Sequence, residues 1–204
     1  MIIRDRRLIF VHIQKTGGSA ISAALEQKSN LPEKHFFASD LRDLYGPEVW
    51  NECFKFAFVR NPWDRLVSWW SMIDGHREKF ENGQSFNKFQ SLILQRARTF
   101  EEFIENCDEE VVDNDGRKWI FRNQIEYLTD SSGRILVDFI GRFERLQSDF
   151  DMVGKRIFGA PVALRKLNAS KHRHYSQYFT PRLVEKVARR YERDIAAFGY
   201  EFAT

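Results

Sequence analysis

Lys15, Thr16, Gly17, Gly18 and Ser19 follow directly on the apolar run Ile9-Phe-Val-His-Ile13. A lysine beside two glycines and two hydroxyls, placed where a strand gives way to a helix, is chemistry for holding an anion. The glycines let the backbone approach the anion closely. The amides of the first helical turn then point at it along the positive end of the helix dipole. Here the lysine precedes the glycines, whereas a Walker A loop requires G-x-x-x-x-G-K-[ST], and no such string occurs. The spacing implies a phosphate cradle and argues against an ordinary ATPase or GTPase loop.

A second segment, Phe54-Lys-Phe-Ala-Phe-Val-Arg-Asn-Pro-Trp-Asp-Arg-Leu-Val-Ser-Trp-Trp70, carries a second set of groups. Residues 54–59 read as a buried strand, and Pro62 suits the first turn of a helix, where its missing N–H costs nothing. Trp63, Leu66, Val67, Trp70 and Ile73 fall on one apolar face, and Asp64, Ser68 and Ser71 on a polar stripe. Arg60 therefore stands at a strand's carboxyl end, with Ser68 roughly 12 Å further along the helix axis. A guanidinium and a hydroxyl make a suitable pair for a second phosphate.

The two segments together resemble the sulfotransferases that use 3′-phosphoadenosine 5′-phosphosulfate (PAPS), in particular the carbohydrate and heparan sulfate branch. In that family a strand–loop–helix of the form H-I-P-K-T-G-G-[ST] holds the 5′-phosphosulfate, and V-R-[DN]-P-x-x-R-x-x-S holds the 3′-phosphate. Here the strings are His12-Ile-Gln-Lys-Thr-Gly-Gly-Ser19 and Val59-Arg-Asn-Pro-Trp-Asp-Arg-Leu-Val-Ser68. Gln14 departs from the usual proline. Asn123-Gln124, Asp138-Phe-Ile-Gly-Arg-Phe-Glu144, Leu167-Asn-Ala-Ser170 and the closing Asp194…Phe198-Gly-Tyr200 are similar to later family segments.

The resemblance implies a P-loop-like sulfotransferase fold, PAPS as co-substrate and a hydroxyl acceptor, with a carbohydrate or glycan expected. It assigns Lys15, Thr16, Gly17, Gly18 and Ser19 to the phosphosulfate, with Lys15 also catalytic at the leaving oxygen. Arg60 and Ser68 go to the 3′-phosphate. A basic stretch with Arg165, Lys166, Asn168, Ser170, Lys171 and Arg173 resembles the loop that closes over the nucleotide. A sulfuryl group carries less charge than a phosphoryl group, so no metal is expected. His172-x-His174 lies within a basic loop and reads as that loop rather than as a metal pair.

The acceptor hydroxyl requires a base that titrates near neutrality, which points to the five histidines. On the resemblance to heparan sulfate relatives the base is His35, before Ala38-Ser-Asp-Leu41. His76 is the weaker competitor. His12 is expected to hold the loop through a buried hydrogen bond. Glu144 is expected to cap its helix, and Trp119 and Phe121 to fill core.

Two other functions remain open: a P-loop kinase acting on a small molecule, and a non-catalytic nucleotide-binding protein that keeps the cradle without a base. The absence of a Walker A string weighs against the kinase.

The elements that must position these groups follow from patterning. The 204 residues are 43% hydrophobic and 30% charged with a net charge of +3, as for one soluble domain, and nothing in the charge suggests a nucleic-acid partner. Cys53 and Cys107 have no metal-site spacing. No signal-like segment precedes the first strand and no apolar run approaches the roughly 20 residues of a span, so a cytoplasmic protein is expected.

Strands are expected at 7–13, 34–37, 54–60 and 135–140. Helices are expected near 17–25, from 39, from Pro62, from the Thr99-Phe-Glu-Glu102 capping box to Cys107, at 118–128, at 144–158, and from Thr180-Pro181 through Ile195. Residues 75–90 read as a mobile loop. The acidic stretch 108–116 reads as a solvated turn, because an EF-hand would need Asp or Asn where Val111 stands. Strands alternating with helices predict a three-layer α/β/α domain with a mainly parallel sheet.

Overall fold

The computed structural model describes residues 1–26, 31–113, 116–165 and 173–203. β1 (Ile2–Ile3) and a 3₁₀ turn (Arg4–Arg6) lead into β2 (Leu8–Val11), and α1 (Gly18–Ala24) follows the loop of residues 12–17. Next come α2 (Ala38–Tyr45), α3 (Pro47–Glu52), β3 (Phe54–Val59) and α4 (Pro62–Asp74). α5 (Arg77–Glu81), α6 (Lys88–Arg96) and α7 (Phe100–Asn106) precede a hairpin of β4 (Val111–Asp113) and β5 (Gly116–Lys118). A 3₁₀ turn (Gln124–Tyr127) leads to β6 (Phe139–Arg142), and α8 (Leu146–Phe158), α9 (Pro181–Arg190) and α10 (Glu192–Phe198) complete the chain. The residues fall into two compact units, one of 1–60 with 124–169 and one of 61–123 with 170–204.

The first unit is built on a four-stranded sheet ordered β1-β2-β3-β6. β2, β3 and β6 are parallel and β1 is an antiparallel edge. The protein is thus mixed α/β with a mainly parallel central sheet. Leu8, Ile9, Phe10 and Val11 are all buried, as expected of a strand covered on both faces. Phe10 stacks on Phe56 at 4.8 Å across the β2–β3 pair, and Phe58 and Phe150 extend the same core. Because the three strands run the same way, the residues that follow β2 and β3, Lys15 and Arg60, come to the same end of the sheet.

The second unit is helical around α4. Trp63, Leu66, Val67, Trp70 and Ile73 enter its core with Phe89, Phe103, Phe121 and Tyr191. Asn61 caps α4 by accepting from the N–H of Trp63 at 3.1 Å, and Pro62 takes the first position. Among the described residues no helix is long and apolar enough to cross a membrane.

Several expected elements differ. Residues 34–37 are not a strand: 32–35 form a turn, and Phe37 is placed by an edge-on ring contact with Tyr127 at 4.8 Å instead of by sheet pairing. The 75–90 segment holds α5, fastened where Arg77 donates to Asp74 and to the Leu94 and Ala97 carbonyls. The stretch expected as a solvated turn contributes the two strands β4 and β5, with Lys118 and Asp113 as a buried ion pair at 3.5 Å.

Residues 118–128 do not form one helix. β5 ends at Lys118, Trp119 donates to Asp108, and the side chain of Asn123 donates to the Arg190 carbonyl, which fixes an irregular path. The last helix breaks at Tyr191, whose buried hydroxyl donates to the Ile120 carbonyl. At α8 no side-chain cap is present. Asp149 accepts from the N–H of Arg142 at 2.8 Å, not the Glu144 cap that was expected.

Candidate active site

Within the first unit the loop from His12 to Gly18 is shaped by backbone that most residues avoid. Lys15 has φ +69° and Gly17 φ +87°, both in the left-handed region. Gly17 adopts it freely. Lys15 pays about 1–3 kcal/mol of strain, which the surrounding structure must hold in place. Loops with such alternations turn successive amides toward a common anion. A side chain on Gly17 would press on Leu146 at 2.8 Å, and one on Gly18 would overlap the His12 ring. Gly17 is therefore required by conformation as well as by the close approach of Leu146, and Gly18 by the close approach of the His12 ring alone.

Two cations stand at this loop. The Arg60 guanidinium donates from Nη1 to the Lys15 carbonyl at 3.2 Å and lies over the Phe143 ring at 3.8 Å. The backbone of Arg60 is clamped by the Gln124 side-chain amide, which accepts from its N–H and donates to its carbonyl, both at 2.8 Å. Burial, and after it the charge of Arg60, bring the Lys15 ammonium from its ordinary 10.5 down to about 8. Confining two cations together is costly, and an anion between them removes the cost. With seven residues α1 adds little dipole, so the field comes mainly from Lys15 and Arg60. Thr16, fully buried, turns its hydroxyl to the Ile13 carbonyl at 2.9 Å, which closes the loop on itself.

His35 faces this loop. Its Nδ1 lies 3.0 Å from the carbonyl oxygen of His12, and the two rings meet edge to face at 4.7 Å. A carbonyl oxygen only accepts, so Nδ1 carries the proton, and in the neutral ring Nε2 presents a lone pair. His12 does not act through a ring hydrogen bond as expected. Its Nδ1 has no partner among the described residues, and burial, then the neighbouring charges of His35 and Lys34, hold it neutral well below the usual histidine range. Its ring fills the space over Gly18 and its carbonyl orients His35.

The other expected residues are distributed differently. Ser68 is buried on α4 in the second unit. His76 precedes α5 in that unit and stacks on Phe86 at 4.9 Å. Trp119 and Phe121 pack into the second unit's core as expected. Asn168, Ser170 and Lys171, with Lys166 and His172, lie outside the described residues.

Sequence reading missed Phe143, Leu146, Gln14 and Tyr127 as parts of the site. Tyr127 donates to the Gln14 side chain at 2.6 Å, both buried, so the residue standing where the family usually has proline fastens the loop instead. Phe143 falls in the Asp138–Glu144 segment, but the charged sequence around it and Leu146 carried no signal of this proximity.

The family model for sulfotransferases matches residues 1–201, which takes in the loop, Arg60 and the C-terminal helices. The chain belongs to the sulfotransferase family. Among curated proteins, this sulfotransferase-family chain is similar to carbohydrate sulfotransferase 14 of Danio rerio. The two are 29% identical over 171 residues, covering 72% of this chain and 44% of that protein. It is 26% identical over 185 residues to the proteins of the same name in Mus musculus and Homo sapiens, covering 80% of this chain and 46% of each. The chain thus spans less than half the length of these relatives. None of these matches favours a kinase.

Proposed function

We propose that the protein is a sulfotransferase that moves the sulfuryl group of PAPS to a hydroxyl of a carbohydrate acceptor. Family membership and the names of the similar proteins support the reaction class and the carbohydrate acceptor. The single observation that carries the assignment of the site is the meeting of Lys15 and Arg60 at one strained loop, a pair of confined cations suited to a phosphosulfate and its second phosphate. The P-loop-like three-layer arrangement belongs to the same reading.

In this reading the backbone of Thr16, Gly17, Gly18 and Ser19 cradles the 5′-phosphate side. By the resemblance, Arg60 and Ser68 are assigned to the 3′-phosphate, together with Asn168, Ser170 and Lys171, which lie outside the described residues. His35 accepts the proton of the acceptor hydroxyl at Nε2, which makes that oxygen nucleophilic toward sulfur. Lys15 offsets the charge that develops on the oxygen losing the sulfuryl group. His12 keeps His35 oriented through its carbonyl. PAPS supplies the activated sulfuryl group, and no metal takes part.

The test is transfer of labelled sulfate from PAPS to a panel of glycan and small-alcohol acceptors. Label on a glycan is the expected result. Tight binding of the 3′,5′-diphosphate of adenosine without transfer to any hydroxyl would favour a non-catalytic nucleotide-binding protein. Phosphate transfer from ATP with Mg²⁺ would favour the kinase.

A further inference from the structure

At the end of the sheet opposite Lys15, where β2 and β3 begin, a surface pocket of about 500 Å³ lies within the first unit. Arg6, Arg7, Lys55 and Arg156 bring its cations, and Glu52 and Asp138 its carboxylates. Lys55 and Asp138 neutralise one another, with Nζ and Oδ2 3.0 Å apart and the Lys55 N–H donating to the same oxygen at 2.8 Å. Three guanidiniums remain against the single carboxylate of Glu52. Among the described residues none of the three has an ion-pair partner.

Two of these guanidiniums lie against aromatic rings, and the third residue is fixed at its backbone. Arg6 lies over the Phe158 ring at 4.8 Å and Arg156 over the Phe54 ring at 4.4 Å. Arg7 is fixed through its backbone: its φ is +48°, its N–H donates to the Arg4 carbonyl at 3.0 Å, and its own carbonyl accepts from Phe54 at 2.8 Å. A non-glycine residue in that region carries strain, and here the left-handed Arg7 caps the 3₁₀ turn Arg4–Arg6 at the edge of the pocket. Stacking and backbone restraint also lower the entropy lost when a ligand is bound. Arginine, unlike lysine, meets a tetrahedral oxyanion with two parallel N–H donors.

We propose that this pocket is a second oxyanion site, which takes a sulfate or phosphate ester group of a small ligand. The Lys15 loop is not part of it. β3 separates the two ends of the sheet by about 20 Å, so one ester group cannot serve both. The site does not depend on the donor reading given above.

Calorimetry on the intact chain, saturated with the 3′,5′-diphosphate of adenosine, tests it at constant ionic strength. The probes are inorganic sulfate, inorganic phosphate and a sulfated disaccharide. One further equivalent should bind. Its affinity should fall at least tenfold in Arg6→Ala/Arg7→Ala/Arg156→Ala, whose changes are all at exposed positions, with an unchanged melting temperature as the check on folding. Lys15→Ala should leave it intact. Tighter binding of the disaccharide than of the two ions would support a glycan as the source of the ester. Equal binding would support recognition of the oxyanion alone. Three outcomes overturn the proposal: no binding of any probe, undiminished binding in the triple variant, or an equal loss in the charge-matched control Lys79→Ala/Lys88→Ala/Arg189→Ala.

Discussion

Nδ1 of His35 is hydrogen-bonded to the backbone carbonyl of His12 at 3.0 Å. The contact joins the turn before α2 to the loop that follows β2, and it sets the tautomer of His35. A base whose proton lies on the far nitrogen is ready to accept another at Nε2. No titration of a neighbouring carboxylate is needed to arrange it.

From that relationship, His35→Ala should lower the sulfate transfer rate by about 10²–10⁴, the usual loss for a general base. Affinity for the 3′,5′-diphosphate of adenosine should stay within a few-fold of the parent. Steady-state rates with calorimetry separate the two effects. A parental rate in the variant would move the search for the base to His76 and then His12.

The confined pair of cations predicts a pH dependence with a definite sign. The folded pKa of Lys15, about 8, lies below its ordinary 10.5. Below pH 8 the folded state carries the full cost of a buried ammonium. As pH rises from 8 toward 10.5 that cost is relieved, because the unfolded chain binds the proton and the folded chain does not. Ligand-free stability therefore gains from this residue in that window, while anion affinity falls as the ammonium is lost. Binding the diphosphate near pH 8.5 should take up protons, seen as a dependence of calorimetric heat on the buffer's ionisation enthalpy. Lys15→Met should abolish the uptake.

Arg60→Ala should weaken binding of the 3′,5′-diphosphate by about 1.5–3 kcal/mol, as for a lost charge-assisted contact. Ser68→Ala should cost about 1 kcal/mol, the value for a neutral donor. The arginine variant should also raise the pKa of Lys15, since a neighbouring positive charge is removed. Equal affinities of parent and Arg60→Ala would mean that the second phosphate is held elsewhere.

Gly18→Ala places a methyl group where the His12 ring stands. The expected cost is about 1–3 kcal/mol of stability, the range for overpacking. His12→Ala vacates that space, so the double variant should lose less than the sum of the single ones in thermal or denaturant unfolding. Simple additivity would show that the two residues do not press on one another.

Away from the site, Thr99 accepts from the N–H of Glu102 at 3.2 Å, and Glu102 accepts from the N–H of Thr99 at 3.1 Å. Thr99→Ala should therefore cost about 1 kcal/mol in denaturant unfolding, with sulfate transfer unchanged.

Much of this was legible in the sequence because it depends on short-range rules. The buried strands at Leu8–Val11 and Phe54–Val59, the Asn61-Pro62 start of α4 and the Thr99 capping box each follow from neighbours within a few residues. The position of Lys15 ahead of two glycines is likewise a local pattern, and the anion loop read from it belongs to the proposed function.

Tertiary structure decided the rest. Whether Phe36 and Phe37 extend a sheet depends on a partner, and here Tyr127 takes Phe37 in a ring contact instead. The break at Tyr191 answers to the Ile120 carbonyl, 71 residues away, and no local pattern encodes it. Gln124 on the backbone of Arg60, Tyr127 on Gln14 and Leu146 against Gly17 are likewise long-range contacts. Residue types and spacing supplied the chemistry that is proposed, since a charge or a glycine acts wherever the chain carries it. The direction in which His35 faces, the depressed pKa of Lys15 and the arginine pocket at the far end of the sheet come from packing, which places side chains distant in sequence within a few ångströms of each other.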